Sequence, residues 1–441
     1  MNERGRNDNK RTIDVASEAA RARAELTGDS LPFWLDHGMD GEYGGLLTGL
    51  DRRGRCIETD KSMWFQGRFA WICARSYIDI DADPRYLEAA RSCLDFLDRH
   101  GRTESGRYYY RVTRDGAPLR MRRYLFTECF AAAAHAAFAE ATGEMHHLES
   151  ATAILETIRR YRDTPGALEP KEVPGARPSQ GFALPMILLN VAQTLRRAAG
   201  ALGDAAAGEL ADRTAGESVD LITRYFINDE HRCVLEQCGP NGELLDHFEG
   251  RTLNPGHAIE GAWFILEEAL ARGRNGGAGA DLSGRGGIVD ADRSAGGRHA
   301  AGRLAGDQMT GADAELTELG VRMLDYMWEW GWDRECGGLY YFRDVLGHPS
   351  PEYWHDMKFW WPHTEAIIAT HLAFSLTGEE RFAERYHAVS EWSYGHFPDR
   401  EHGEWFGYLH RDGTVSSDIK GSMFKGPFHI PRMLLVLSTA R

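Results

Sequence analysis

The chain repeats itself, and the repeat limits what it can fold into. Residues 42–55, "EYGGLLTGLDRRGR", precede "KSMWFQGRFAWICARSY"; residues 335–347, "ECGGLYYFRDVLG", precede "MKFWWPHTEAIIATHLAF"; residues 401–415, "EHGEWFGYLHRDGTV", precede "GSMFKGPFHIPRMLLVL". Two weaker copies lie between them, "ESGRYYYRVTRDGAP" before "RRYLFTECFAAAAHAAF" and "EHRCVLEQCGPNGEL" before "RTLNPGHAIEGAWFILEEAL". Each copy has a glycine or polar turn, a short aromatic run, a second turn and an apolar segment. The aromatic runs around Asp-Gly or Asn-Gly read as short hairpins. A unit of this size cannot bury its own apolar face, so neighbouring units must pack together.

The segments between copies, such as "YLEAARSCLDFLDRH" and "HLESATAILETIRRYRD", carry apolar residues three and four apart. That spacing is the signature of a helix packed along one side. The segments after each hairpin are apolar nearly all round, which implies burial on every face. The unit is therefore an outer helix, a hairpin-bearing loop and an inner helix. Five or six units closing on themselves give an all-α (α/α) toroid, with the loops that open the inner helices gathered at one mouth.

Two stretches depart from this pattern. Residues 272–314 are rich in Gly, Arg and Asp and poor in apolar side chains, and read as a mobile insertion. Residues 198–217, rich in Ala and Gly, read as a loop with the start of a helix. The expected organisation is an N-terminal extension with the start of the first helix over residues 1–30, then a single catalytic domain over 31–441.

The formal net charge of −15 argues against nucleic acid or an anionic membrane as partner. No apolar run approaches the roughly 20 residues of a membrane span. The opening "MNERGRNDNKRTID" lacks the apolar core of a secretory signal. Seven scattered cysteines without a C-x-x-C pair read as reduced thiols in a cytoplasmic protein. Cys233 and Cys238 are spaced as half of a metal site, and no second half follows.

Three histidines stand where inner helices begin. His257 lies in "NPGHAIEGAWF" with Glu260 three residues on, His363 in "WWPHTEAIIA" with Glu365 two on, and His429 in "KGPFHIPR" two before Pro431. Proline is a normal first-turn residue, and a helix N-terminus leaves N–H groups free and disfavours a second positive charge. Such a position suits an imidazole acting as a general base. Arg68, in "WFQGRFAW", falls at about the equivalent place in the first unit. Trp64, Trp360, Trp361, Trp405 and Phe424 are expected to line the mouth, where aromatic side chains suit a sugar face. His146 and His147 read as surface residues and His135 as core. The chain lacks H-E-x-x-H, a phosphate-binding G-x-x-x-x-G-K-[ST] and a G-x-S-x-G elbow, so no metal, nucleotide or serine-hydrolase motif is present.

At these residues the sequence resembles the N-acylglucosamine 2-epimerase (renin-binding protein) family, through "NPGHAIEGAWF", "MKFWWPHTEAIIA", "GEWFGYLHRDGTV" and "KGPFHIPR", with weaker agreement in "WFQGRFAW", "FTECF" and "LPMILLN". The resemblance implies an (α/α)6 barrel and reversible epimerisation at C2 of N-acetylglucosamine, giving N-acetylmannosamine. It places the acid–base pair on His257 and His429 and two further catalytic residues on Arg68 and Glu365. Glu260, His363, Trp64, Asn190, Trp361, Phe424 and Lys358 become substrate contacts. The related cellobiose epimerases and mannose isomerases usually carry a histidine where this chain has Asn190, a departure that favours the N-acyl branch. The resemblance also implies a homodimer and ATP as an allosteric effector, with no cofactor needed for the chemistry. The alternatives are an epimerase or aldose–ketose isomerase of an unsubstituted sugar such as mannose, a glycoside hydrolase with two opposed carboxylates, and a non-enzymatic interaction protein.

Overall fold

The computed structural model describes residues 11–169, 173, 175–276 and 311–440. The greater part of the Gly-rich insertion lies outside these residues. Its flanks are helical, since the helices on either side run to Gly276 and from Gly311.

Fourteen helices are found among the described residues. They are α1 (Val15–Glu25), α2 (Leu31–His37), α3 (Met63–Asp79), α4 (Pro84–Phe96), α5 (Phe126–Thr142), α6 (Met145–Asp163), α7 (Ala183–Leu202), α8 (Ala205–Tyr225), α9 (Phe248–Arg251), α10 (Pro255–Gly276), α11 (Gly311–Gly331), α12 (Trp360–Thr377), α13 (Glu380–His396) and α14 (His429–Thr439). A π turn, Leu26–Ser30, joins α1 to α2 without a break. The first helix thus begins well before residue 31, because Asp14 caps it by accepting the Ser17 N–H, and α1 packs on α14. Residues 198–217 are helical on both sides of Gly203, not a loop; this glycine ends α7 at φ 73° and Asp204 caps α8. Alanine-rich composition there reflects good helix formers.

The six apolar helices α3, α5, α7, α10, α12 and α14 contact one another in chain order, and α14 returns to α3. α12 is buried nearly throughout its first four turns. The companions α4, α6, α8, α11 and α13 bury one side only; in α4 this side is Tyr86, Ala89, Ala90, Cys93, Leu94 and Phe96.

Strands of two or three residues occupy the loops before the inner helices. Four of them lead straight into an inner helix and pair antiparallel with a strand from a later loop: Lys61–Ser62 with Arg111–Val112, Gln180–Gly181 with Gln237–Cys238, Thr252–Leu253 with Arg343–Asp344, and Lys358–Phe359 with Tyr408–Leu409. These strands stitch adjacent units together, while Gly49–Leu50 with Cys56–Glu58, Arg111–Val112 with Pro118–Arg120, Ile227–Asn228 with Cys233–Val234, and Tyr408–Leu409 with Val415–Ser417 close the hairpins expected from sequence.

A buried aspartate recurs at these seams. Asp40 accepts from Lys61 at 2.9 Å and Arg114 at 2.8 Å; Asp333 from Lys358 at 3.0 Å and Arg411 at 2.8 Å; Asp399 from Lys420 at 3.0 Å and Arg52 at 2.7 Å. Each aspartate also accepts backbone N–H groups of the turn that follows it. The lysine comes from the same unit and the arginine from the turn of the next. Arg52 belongs to the first unit and Asp399 to the last, so this contact ties the chain's two ends. Lys358 is completely buried in such a triad and stacks its ammonium on Tyr340, which removes it from the substrate contacts expected from sequence.

Glycine pairs make the turns. Gly44 and Gly45 have φ of 78° and 72°, and Gly337 and Gly338 have 73° and 69°. Two consecutive left-handed residues are strained for any side chain bearing Cβ. The N–H that follows each pair is captured by the inner helix: Leu46 donates to Gln66 Oε1 at 2.8 Å, and Leu339 to His363 Nε2 at 2.9 Å. His363 and Gln66 both lie five residues after the triad lysine. His363 also donates Nδ1–H to the Phe359 carbonyl and stacks on Trp392, fully buried. Both ring nitrogens are occupied, so this histidine is a turn anchor and cannot exchange a proton with a ligand.

Burial opposes the charge on Asp333, but Arg411, backbone N–H groups and Lys358 hold its carboxyl well below the usual range. A depressed carboxylate contributes stability that is complete above its unfolded pKa and lost as pH falls through the folded one. Asp333→Ala leaves Lys358 buried without its partner and is expected to cost about 3–5 kcal/mol, read as a lower urea midpoint at pH 7. The difference from the unsubstituted protein should shrink in strong acid.

Candidate active site

Asn254 caps α10 by accepting the His257 N–H at 3.2 Å, and Pro255 starts the helix. His257 is thereby held in the first turn, its side chain 31% exposed. Its Nδ1 lies 3.0 Å from Glu236 Oε1. A carboxylate only accepts, so Nδ1 carries the proton and Nε2 presents a lone pair or, in the charged ring, a second N–H. Gly256 permits the next contact: a Cβ there would stand 2.6 Å from the Trp361 ring. Trp361 lies against His257 with ring centroids 5.1 Å apart and against His429 at 5.7 Å. One indole thus touches both imidazoles, from helices more than a hundred residues apart in the chain.

His429 opens α14 and is buried. Its Nδ1 donates to Glu365 Oε1 at 2.8 Å, again leaving Nε2 for a ligand. Glu365 is fully buried on α12 and also accepts the Trp263 indole N–H at 2.8 Å and Arg432 Nη2 at 2.7 Å. The same guanidinium binds Glu260 and passes 3.3 Å from His429 Nδ1. Glu260 and Glu365 are therefore committed to Arg432, and Glu260 is a framework residue at this level, not a free carboxylate.

Arg68 is half-buried on α3, between Phe130 at 4.1 Å and Phe428 at 4.7 Å. No carboxylate pairs with it among the described residues. Burial pushes it down to about 9, partly countered by the carboxylates of Glu260 and Glu365. Phe428 also stacks on Arg432, at 4.5 Å, and meets His429 edge-on, which fixes the two guanidinia on either side of one ring. Trp64 is half-buried beside Arg68 and meets Tyr110, Phe126 and Phe130 edge-on. Asn190 is half-buried on α7. Phe424 is 60% exposed in the loop before His429.

The two imidazoles are tuned in opposite senses. Burial lowers His257, but the charge and hydrogen bond of Glu236 prevail and raise it above the ordinary histidine value. Burial lowers His429, and the positive charges of Arg432, Arg68 and His257 add to the effect, so it lies well below that value. His257 therefore favours the charged form more than His429 does. Divergent environments of this kind separate an acid from a base. Glu260, Glu365 and His429 bring donor atoms within 4.8 Å of one another, a spacing compatible with a metal. The place of a cation among them is taken by the Arg432 guanidinium.

Sequence reasoning brought together His257, His429, Glu365, Glu260, Arg68, Trp64 and Trp361. It passed over Glu236, Trp263 and Arg432. Arg432 was within reach, three residues past His429 in "KGPFHIPR"; Glu236 sits in a hairpin 21 residues before its partner with no spacing rule to link them.

Comparison with known proteins makes the chain a sugar 2-epimerase, an isomerase. The N-acylglucosamine 2-epimerase family model matches residues 44–280 and 304–429. The chain is 34% identical over 410 residues to N-acylglucosamine 2-epimerase of Bos taurus, covering 91% of this chain and 86% of that protein. It is 31% identical over 435 residues to the Homo sapiens enzyme of the same name, covering 96% and 91%. This chain belongs to the N-acylglucosamine 2-epimerase family. Its fold is shared with the structure of cellobiose 2-epimerase from Bacillus thermoamylovorans, at TM-score 0.75 and 18% identity over 96% of this chain and 99% of that one. More distantly it is similar to a reducing-end-xylose releasing exo-oligoxylanase, at TM-score 0.53 and 11% identity over 97% and 92%.

Glu236→Gln should keep the hydrogen bond to His257 and remove the charge that raises it. The alkaline limb of the kcat/KM profile is then expected to move to lower pH while the acidic limb, set by His429, stays in place. An unchanged alkaline limb would detach Glu236 from the titration of His257.

Proposed function

We propose that the six helical units close into an (α/α)6 barrel whose mouth holds a 2-epimerase site interconverting N-acetylglucosamine and N-acetylmannosamine. The observation that carries the reading is the pair of imidazoles, one raised and one lowered, both in contact with Trp361 and with both Nε2 atoms unclaimed by hydrogen bonds among the described residues. The N-acyl substrate is supported by the 31–34% identity to N-acylglucosamine 2-epimerases, against 22% to the cellobiose 2-epimerase of Bacteroides fragilis.

Inversion at C2 without redox chemistry requires the open-chain aldehyde, in which the C2 hydrogen is α to a carbonyl and can leave as a proton. In one direction neutral His429 Nε2 takes that proton from one face. The electron pair moves onto the carbonyl oxygen, giving an enediolate, and His257 returns a proton to the opposite face. In the other direction the roles exchange. Each acid–base partner is worth roughly 10²–10⁴-fold. Arg68, having no protein carboxylate to neutralise it, is the cation for the enediolate oxygen; a fixed donor at developing charge contributes on the order of a few kcal/mol. Glu365 and Glu236 hold both rings in the tautomer that exposes Nε2. Trp64 and Trp361 offer apolar surface to the sugar, with Asn190 and Phe424 at the edge of the same reading.

His257→Ala and His429→Ala are each expected to reduce turnover by about 10²–10⁴-fold with unchanged circular dichroism. Proton NMR in D₂O with N-acetylmannosamine, mannose and glucose offered separately should show deuterium at C2 and both epimers with the N-acetyl sugar. Fructose formed from mannose would replace this substrate assignment by an aldose–ketose isomerisation. A single-histidine variant retaining more than roughly a tenth of the activity would remove that residue from the pair.

A further inference from the structure

The geometry points to a divalent transition-metal site at the turn between α5 and α6, formed by Glu144, His146 and His147. These residues lie apart from the candidate active site: they follow the C-terminal end of α5 and begin its outer companion α6, whereas His257 and His429 lie in the first turns of inner helices. Their donor atoms lie within 4.8 Å of one another. Glu144 Oε2 is 3.8 Å from His146 Nε2 and 3.9 Å from His147 Nε2. Arg91 donates to both carboxylate oxygens, to Oε1 at 2.5 Å and more weakly to Oε2 at 3.4 Å, which fixes the carboxylate beside the imidazoles.

A second observation fixes what His147 offers. It is buried, contrary to the surface position expected from sequence, and its Nδ1 lies 2.8 Å from Nδ1 of buried His135. His135 Nε2 lies 3.2 Å from Asp98 Oδ1. The Asp98 carboxylate accepts, so His135 Nε2 carries that ring's proton and its Nδ1 is an acceptor. His147 must then donate from Nδ1, which leaves its Nε2 with a lone pair. That lone pair faces the Glu144 carboxylate, an acceptor opposite an acceptor, at a distance too long for a hydrogen bond. A cation between them resolves the conflict. The chain of carboxylate, histidine and ligating histidine is the arrangement that orients imidazoles on metals.

Two imidazoles and one carboxylate suit Zn²⁺, Co²⁺ or Ni²⁺ rather than Mg²⁺ or Ca²⁺. Ligand bonds of about 2.0–2.2 Å require the cluster to draw in slightly, and His146, whose side chain is 64% exposed, is free to do so. The ion would tie the α5–α6 turn to the aspartate beyond α4 without entering the reaction.

Tag-free protein stripped with a chelator is titrated with Zn²⁺ against a chromophoric competitor, and with Co²⁺ for visible absorption bands. One site per chain is expected. His146→Ala and Glu144→Gln should each weaken Zn²⁺ by at least about 10-fold, and Asp98→Asn by about 10-fold through the lost orientation of His147. His146→Ala should leave epimerase turnover unchanged and abolish the Zn²⁺-dependent rise in Tm. Wild-type protein binding Zn²⁺ no more tightly than His146→Ala overturns the assignment. So does binding that survives His146→Ala and is lost in His429→Ala, which would locate the ion at the acid–base cluster.

Discussion

Three buried aspartates organise the mouth of this protein. Asp40, Asp333 and Asp399 each join a lysine that precedes an inner helix to an arginine on the next unit's turn. Taking these charges out of water is costly, and burial pushes Lys358 and Lys420 down to about 8 even against the opposing pull of their aspartates. What the triads secure is position. Each fixes the point at which an inner helix starts relative to the following unit, and one of them joins the first unit to the last. The candidate site residues near the starts of α10, α12 and α14 inherit that precision.

The reactive pair depends on a second asymmetry. His257 has a carboxylate to itself and is raised, whereas His429 shares its carboxylate with Arg432 and lies near a further guanidinium, Arg68. Removing a proton from carbon and returning one to the opposite face calls for one acid and one base at the same pH. Two imidazoles in identical surroundings would share the proton evenly and spend much of their time in the wrong states. The enzyme obtains the difference from neighbours rather than from different residue types.

Much of this was legible in the sequence, for a physical reason. The unit repeats, its inner helices are apolar on every face, and the glycine pairs mark turns that other residues cannot make, so the all-helical class and the hairpins could be read directly. His257, His429, Glu365 and Arg68 stood out because chemistry-bearing side chains at buried helix starts need an explanation. The same logic failed for His363. It resembles the others by neighbouring proline and tryptophan, but its offset from the triad lysine is that of Gln66, and both capture the N–H after a glycine pair. Lys358 failed likewise: a lysine beside an aromatic run looks like a sugar contact until Asp333, 25 residues earlier, is seen to claim it. Partners such as Glu236 come from other loops, and their proximity is a product of the fold, not of spacing.

The helical architecture does not itself select the reaction, since a reducing-end-xylose releasing exo-oligoxylanase has a related fold. Hydrolysis of a glycosidic bond needs two opposed carboxyl groups, one free to donate a proton and one free to attack or to activate water. Glu260 and Glu365 are the buried acids beside His429, and Arg432 engages both at once. A carboxylate held by a guanidinium is a poor acid, because protonation would forfeit the ion pair, and a poor nucleophile, because its lone pairs are spent. The same contacts hold the Glu365 carboxylate beneath His429, where it accepts the ring's Nδ1–H. Arg432 thus engages both acids that a hydrolytic reading would need free, which favours the proposed reading in which the two imidazoles act on carbon.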